Sequence, residues 1–540
     1  MSIPINKDVW IEIMRYFSIS LADDQPDEIK AKRRVLLSLA LTASDLVSIA
    51  LDELWKSMTT LEPIVQIMNY TPTPVGNSGS ETPLTFTNSY WVSTHQALTE
   101  KLRSHISTYL SRIRYLHFAD FPSPREYTLW HALSAFGNWR NSLVPGLKSL
   151  SLSVSGIDPT MAYNVTPILS PNLKALTLHD QSFGWMGESV STIILDILKH
   201  RDIAILEVEY RGFTSSRVVR RIFGFPTLQT VAIPAQGQVT PMTDAEMKPF
   251  KGTTSLTNLD IHLAVFAAPR TARNWLTSLT SLSDITLRGT LRNIFQVLRG
   301  DQIISVQSFG LDIAVDSSNH SQETVARLIP LIGINSSNLH TLRLEATIRQ
   351  HGFAPLTLTD VLALREKPLQ TLVLRHCLTL GSPNNELIDI ITVWPALKHM
   401  CIVTYNNQLG DASVVLPYYS KHAPFLRTAT LPVEFSSDSG SLGESFSPAF
   451  NQSACPLHRL EIPSANFYLS TQMMLEVARD LVVSFPRLTK INSSDDNPPG
   501  LRDFQVAIGI FQTFLALPPK RADKLYISEV SIVNIKTVHD

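Results

Sequence analysis

The chain has 540 residues, 44% of them apolar and only 17% charged, with 22 glycines and three cysteines. An average soluble domain is about 25% charged and about 7% glycine, so the balance excludes a disordered chain, a collagen-like chain and a disulfide scaffold and leaves Ser and Thr as the main polar residues. The 46 basic and 47 acidic residues give a net charge of −1; no global field favours nucleic acid or an anionic membrane surface, and neither is an expected partner.

Length alone gives three or four domains at about 150 residues each, unless the chain is a repeat array. The opening residues MSIPINKDVW carry no basic segment leading into an apolar one, so no signal peptide is expected. No apolar run is long enough for a transmembrane helix. Cys377, Cys401 and Cys455 form neither a CxxC pair nor a Cys/His cluster, so no metal is expected. So few thiols fit a reducing compartment, the cytoplasm and/or the nucleus.

Two helical patterns open the chain. The first covers DVWIEIMRYF, with Val9, Ile13 and Phe17 on one face, Asn6 as N-cap and Asp8 in the first turn. The second runs from Ile29 to Leu54, where Thr42, Ser44 and Asp45 favour a break into two helices. The loop SISLADDQPDE joins the two patterns. Together they predict a small three-helix module over residues 1–65.

These residues resemble an F-box. The family opens with an apolar residue and an acid, then apolar residues at helical spacing; here those are Ile5, Asp8, Val9, Ile13 and Phe17, with Pro4 displaced to precede Ile5. It ends on an apolar helix closing with Leu-Trp, here Leu54 and Trp55. Ala43 replaces the usual Cys, and the first loop is long. The resemblance covers about a tenth of the chain. It implies docking on the Skp adaptor of a cullin-based SCF ubiquitin ligase, through Pro4, Ile5, Val9, Ile13, Leu54 and Trp55. Ile13 and Trp55 have the alternative of serving as internal core of the bundle.

Residues 66–110 read as a linker and a capping helix, Pro-, Gly- and Ser/Thr-rich over 70–90. From 111 to 540 the phrase Leu-x-x-Leu-x-Leu recurs. Strong copies start at Leu147, Leu173, Leu228, Leu256, Leu282, Leu339, Leu369, Leu397 and Leu457. Weaker ones start at Ile113, Ile203, Val306, Leu426, Leu488 and Ile527. A Pro often precedes the phrase, and Lys, Gln or His often follows its first Leu. The spacing averages about 29 residues, the upper end of the leucine-rich-repeat range. Amphipathic segments at 191–200, 291–300, 323–332, 386–394 and 473–485 lie between copies. Strand, loop and helix in alternation predict an α/β fold: the helical module followed by an irregular right-handed solenoid with a concave parallel sheet. Residues 434–454 read as a long surface loop.

The usual Asn or Cys after the last Leu of each phrase occurs in one strong copy, Cys377. In this the array resembles the degenerate leucine-rich regions that follow an F-box in fungal proteins. No P-loop, Gly-x-Gly-x-x-Gly, Gly-x-Ser-x-Gly or His-Glu-x-x-His phrase occurs, so no catalytic residue and no cofactor is expected. What remains is a recognition surface. The side chains on the sheet's open face include Glu207, Glu209 and Asp260 early and Arg288, Arg343 and Arg375 late, and such a row could read an unidentified target protein; an ordinary solvated sheet face is the alternative. The resemblance implies a substrate-recognition adaptor without catalysis. The other reading is a repeat interaction scaffold with no link to a ligase.

Overall fold

The structure, a computed structural model, describes residues 7–21, 24–61, 63–64, 100–118, 142–155, 158–180, 185–235, 239–250, 255–299, 306–314, 324–336, 338–347, 354–406, 408–435, 455–462, 471–493 and 501–515. The predicted linker over 70–90, most of the 434–454 loop and the copy at Ile527 lie outside them. Two compact units divide the chain, Met1–Leu282 and Ser283–Asp540. The division falls inside the repeat array, and the helical module belongs to the first unit.

The first unit opens with α1 (Lys7–Arg15), α2 (Pro26–Thr42) and α3 (Ser44–Lys56). The break between α2 and α3 is at Ala43, which is extended at φ −151°. The Thr42 hydroxyl donates to the Leu39 carbonyl at 2.7 Å, the local bond that makes Thr a poor helix continuer. Met14, Leu36, Ala40, Leu46, Ile49 and Ala50 form the module's core. Helix α3 runs directly into β1 (Ser57–Met58), which pairs in parallel with β2 (Tyr115–Phe118). The strand β1 therefore seats the module on the array. Helix α4 (Glu100–Leu110) adds Tyr109 against Trp55, with ring centroids 4.8 Å apart.

The sheet of this unit continues through β3 (Ser149–Ser153), β4 (Ala175–His179), β5 (Glu207–Arg211), β6 (Thr230–Ile233) and β7 (Asn258–His262), all parallel and in chain order. Its crossovers carry α5 (Trp185–His200), α6 (Ser216–Ile222), α7 (Asp244–Met247) and α8 (Pro269–Leu276). Alternation along each strand places Leu150, Leu176, Val208, Val231 and Leu259 in one buried row. Burying each such side chain stabilises the array by roughly 1.5–3 kcal/mol.

The second unit holds β8 (Asp284–Thr290), β9 (Ser308–Ala314), β10 (Thr341–Thr347), β11 (Thr371–Leu378), β12 (His399–Thr404), β13 (Gly410–Asp411), β14 (Thr428–Thr430), β15 (Val433–Glu434), β16 (Arg459–Glu461) and β17 (Lys490–Asn492). Eight of these form one parallel sheet in chain order; β13 and β15 pair separately. Helices α9 (Leu291–Leu298), α10 (Leu328–Asn335), α11 (Leu358–Val361), α12 (Pro383–Val393), α13 (Ala412–His422) and α14 (Thr471–Ser484) lie in the crossovers, and α15 (Leu501–Leu515) follows β17. Both units are thus built as leucine-rich-repeat-type α/β arrays, with one face of the sheet buried by apolar residues and the other open.

Every copy of the phrase within the described residues falls on a strand, but one is out of register. The sequence phrase from Ile203 puts Val208 last. In the sheet Val208 pairs with Leu176, the middle leucine of its neighbour, and Tyr210 pairs with Leu178, the last. The phrase of β5 therefore starts at Ile205 and ends on Tyr210, whose buried hydroxyl donates to the Phe213 carbonyl at 2.7 Å.

Some Ser and Thr side chains tie one repeat to the next. Ser170 donates to the Pro145 carbonyl at 2.8 Å, Thr227 to Ile205 at 2.8 Å and Ser255 to Leu228 at 2.8 Å. Each bond satisfies a carbonyl about one repeat away, in turns that lack the usual asparagine. Cys377 does stand at the asparagine position. Its buried thiol donates to the Leu344 carbonyl of the preceding strand at 3.5 Å. Burial pushes that thiol up to about 12, so it carries no thiolate at neutral pH.

One further tie predicts a measurable cost. The hydroxyl of the fully buried Tyr419 donates to the Leu387 carbonyl at 2.7 Å, joining α13 to α12. Tyr419→Phe removes that bond while the Leu387 carbonyl keeps its place in the helix, and is expected to cost about 0.5–1.5 kcal/mol in urea unfolding.

Candidate functional site: the open strand face and the helical module

Register fixes which side chains share the open face. In the first unit His117, Ser151, Thr177, Glu209, Ala232 and Asp260 form one row. Ser153, His179 and Arg211 form the next. Glu207 belongs to a different row, with Ala175, Thr230 and Asn258. Glu209 and Asp260 are therefore brought together in a row that Glu207 does not join. The early acidic cluster is also offset: Arg211 Nε contacts Glu209 Oε1 at 2.6 Å.

His117, Ser151, Thr177, Glu209, His179 and Arg211 line a cavity of about 620 Å³ together with Ser18–Leu21 of the loop between α1 and α2. The Ser57 hydroxyl donates to the Ile19 carbonyl at 3.0 Å and holds that loop over the strands. Lys56 Nζ donates to Ser18 Oγ at 3.1 Å and pairs with Glu53 at 3.0 Å. The rings of His117 and His179 are 6.3 Å apart. Burial lowers the pKa of both; for His179, Arg211 lowers it further while Glu209 opposes.

That depression fixes a sign. The folded chain binds fewer protons at these imidazoles than the unfolded chain does. Their contribution is fully present above 6.5, the ordinary histidine value, and is lost as pH falls below it toward the lowered folded values. The free energy of unfolding is expected to fall over that window, and His117→Gln/His179→Gln should flatten the slope. Urea titrations at stepped pH measure this.

In the second unit the row Thr286, Gly310, Arg343, Val373, Cys401, Thr430, Glu461 and Asn492 runs across the open face. Beside it lie Arg288, Asp312, Glu345, Arg375 and Val403. Arg343 thus sits one row from Arg288 and Arg375. The separation into acidic and basic ends that the sequence suggests is not kept, because register inserts Asp312 and Glu345 between the arginines. Arg288 Nη1 meets Asp312 Oδ2 at 2.6 Å. Arg375 Nε donates to Cys401 Sγ at 3.3 Å, and that bond, helped by the carboxylates of Glu345 and Glu461 and opposed by burial, raises its pKa. Arg288 is thus charge-paired across strands, whereas Arg211 pairs with Glu209 on its own strand. After Arg375 the strand is irregular: His376 has φ 55° and the register shifts before Leu378, so Arg375 and His376 are both exposed.

The helical module divides the residues singled out from the F-box resemblance. Pro4 and Ile5 lie outside the described residues. Val9 is 51% exposed, Ile13 and Leu54 are half-buried, and Trp55 is buried against Tyr109. Leu54 lines a groove of about 310 Å³ with Pro26, Lys30, Arg34 and Leu37. Sequence reading missed the outward stripe of α2: Lys30, Arg34, Leu37 and Leu41 recur at spacings of four, three and four, with Leu37 50% and Leu41 80% exposed. That spacing is visible in the sequence, but only the packing of Leu36 and Ala40 shows which face is covered.

Among the described residues no cluster of His, Cys, Asp and Glu could hold a metal ion, and no helix is long and apolar enough to cross a membrane. Fold and faces together define a leucine-rich-repeat-type array carrying a helical module at its start. No protein-family profile and no curated protein matches the chain. Among solved structures it is similar to the Rad7–Elc1 complex of yeast, at 15% identity and a TM-score of 0.36 over 64% of this chain and 83% of that one. It is also similar to the leucine-rich repeat-containing protein LegL7 from Legionella pneumophila, at 12% identity and a TM-score of 0.32 over 67% and 97%. The TLR13–ssRNA13 complex is similar at 12% identity and a TM-score of 0.34, over 72% of this chain and 60% of that one.

Proposed function

We propose that the protein is a non-catalytic recognition adaptor: the array is a protein-interaction scaffold, and the helical module docks it on the Skp adaptor of a cullin-type SCF ubiquitin ligase. One observation carries the reading. The module leaves Val9, Tyr16, Leu37, Leu41 and Val47 exposed around a small core, although it is built directly onto the array's first strand. A three-helix unit of this size buries little surface alone, and an apolar face left over is completed by a partner. An adaptor acts by effective concentration: one end held at the ligase and the other on a target brings target lysines close to the conjugating enzyme. The fold supports this division of labour, with a partner face on the helices and a broad open strand face.

Co-expression of the full chain with a Skp adaptor, followed by size-exclusion chromatography, tests the proposal. A stoichiometric complex is expected. A folded chain that elutes free of the adaptor removes the ligase reading and leaves the scaffold reading alone.

A further inference from the structure

The start of four consecutive strands of the second unit forms a groove that neither the module nor the open face uses. The repeated phrase places a proline just before each of these strands: Pro395-Ala396-Leu397-Lys398, Pro424-Phe425-Leu426-Arg427, Pro456-Leu457-His458 and Pro486-Arg487-Leu488-Thr489. The leucines are buried. The residues after them stack across the sheet, since the Arg427 amide donates to Lys398, His458 to Arg427 and Thr489 to His458, at 2.7, 2.9 and 2.9 Å. Lys398, Arg427 and His458 are therefore successive rungs, about 4.8 Å apart per strand.

Together with Arg487 they line a cavity of about 760 Å³ whose lining contains no carboxylate. Among the described residues Arg427, His458 and Arg487 have no side-chain partner, and Lys398 Nζ bonds only the neutral Gln370 Oε1, at 2.8 Å. This contrasts with the open face, where Arg211 and Arg288 meet Glu209 and Asp312. The rim is apolar: Phe425 is 54% exposed beside Pro424, Pro456 and Pro486. The neighbouring His399 has a lowered pKa, first from burial and then from Arg427, His458, Lys398 and Arg343.

We propose that this groove docks an extended anionic peptide, carboxylate-rich or phosphorylated, with a proline or aromatic side chain against Phe425. Unpaired cations at strand spacing attract successive acidic groups, and same-face side chains of an extended peptide lie about 7 Å apart, within reach of adjacent rungs. The apolar rim favours a peptide over a small polyanion. A single aromatic gives successive nucleic-acid bases nothing further to stack on. The inference does not depend on the ligase reading.

Fluorescence anisotropy on the full chain tests it with three labelled peptides: one alternating Glu with Pro and Phe, one with phosphoserine for Glu, and one with Ser for Glu. The two anionic peptides are expected to bind, with affinity falling as salt rises, and the Ser peptide is not. Arg427→Glu/Arg487→Glu should weaken binding about a hundredfold, and Phe425→Ser about tenfold. All three residues are exposed, so the fold should hold; Arg292→Glu on α9 with Arg299→Glu at its C-cap, equal in charge change, should leave affinity unaltered. Comparable binding of the Ser peptide overturns the proposal, as does unchanged affinity in the double variant. Tighter binding of inositol hexakisphosphate or of a single-stranded oligonucleotide than of either anionic peptide also overturns it.

Discussion

Replacing Trp275 by alanine is expected to remove about 3–5 kcal/mol from the stability of the first unit, the range for truncating a buried aromatic. Trp275 lies on α8 and is fully buried. Its ring stands edge-on to Phe223 with centroids 4.9 Å apart and is 5.6 Å from Phe266. Its indole N–H donates to the Phe250 carbonyl at 3.4 Å. These partners come from three successive crossovers: Phe223 follows α6, Phe250 ends a 3₁₀ turn and Phe266 follows β7. One side chain thus clamps three repeats, and in an array each repeat depends on its neighbours. A domain's total stability is about 5–15 kcal/mol, so the loss is a large share of it. Trp275→Phe keeps the ring stack but drops the hydrogen bond, and should cost about 1–3 kcal/mol. Urea unfolding followed by far-UV circular dichroism measures both; equal midpoints for wild type and Trp275→Ala would refute the clamp.

The second large effect concerns the module. If the module docks as proposed, Leu37→Glu/Leu41→Glu is expected to weaken capture of the Skp adaptor at least about a hundredfold, because each leucine buried in an interface contributes roughly 1.5–3 kcal/mol and each glutamate would have to be desolvated there. The free chain should hardly notice, since both side chains already face water and substitutions at such sites usually stay within about 0.5 kcal/mol. Trp55→Ala provides the contrast. Its ring packs on Tyr109 inside the unit, so the melting temperature should fall along with capture. Titration calorimetry on variants with matched unfolding curves separates the two cases. Undiminished capture by the double glutamate variant would place the docking face elsewhere on the helices.

Much of the fold was readable in the chain. The leucine phrase marks strands because alternation must put its leucines on one face, and every copy in the described residues is a strand. The helix break was legible from Thr42, Ser44 and Asp45, whose side chains compete for backbone hydrogen bonds. The site was less legible. Reading β5 from Ile203 placed Glu207 on the wrong row, because Ile203, Leu206 and Val208 fit the phrase as well as Ile205, Val208 and Tyr210 do. Pairing to β4 decides between them. The apparent basic row in the second unit failed for a related reason: Asp312 and Glu345 lie on strands between Arg288 and Arg375, and a linear reading that picks one residue per repeat passed over Asp312.

By itself, then, the sequence determined the class of fold, because periodic leucines leave a chain few ways to bury them other than by stacking. It also determined that a helical module precedes the array. Tertiary structure decided which charges meet: Arg288 finds Asp312 on the next strand, about one repeat away in sequence. It decided that Trp55 packs inward and that Leu37 and Leu41 face out, because only packing chooses among the faces of a helix. It also gathered Lys398, Arg427, His458 and Arg487 into one groove. In this low-charge chain these cations are scattered over some ninety residues, and the hydrogen-bond ladder at the strand starts brings them together.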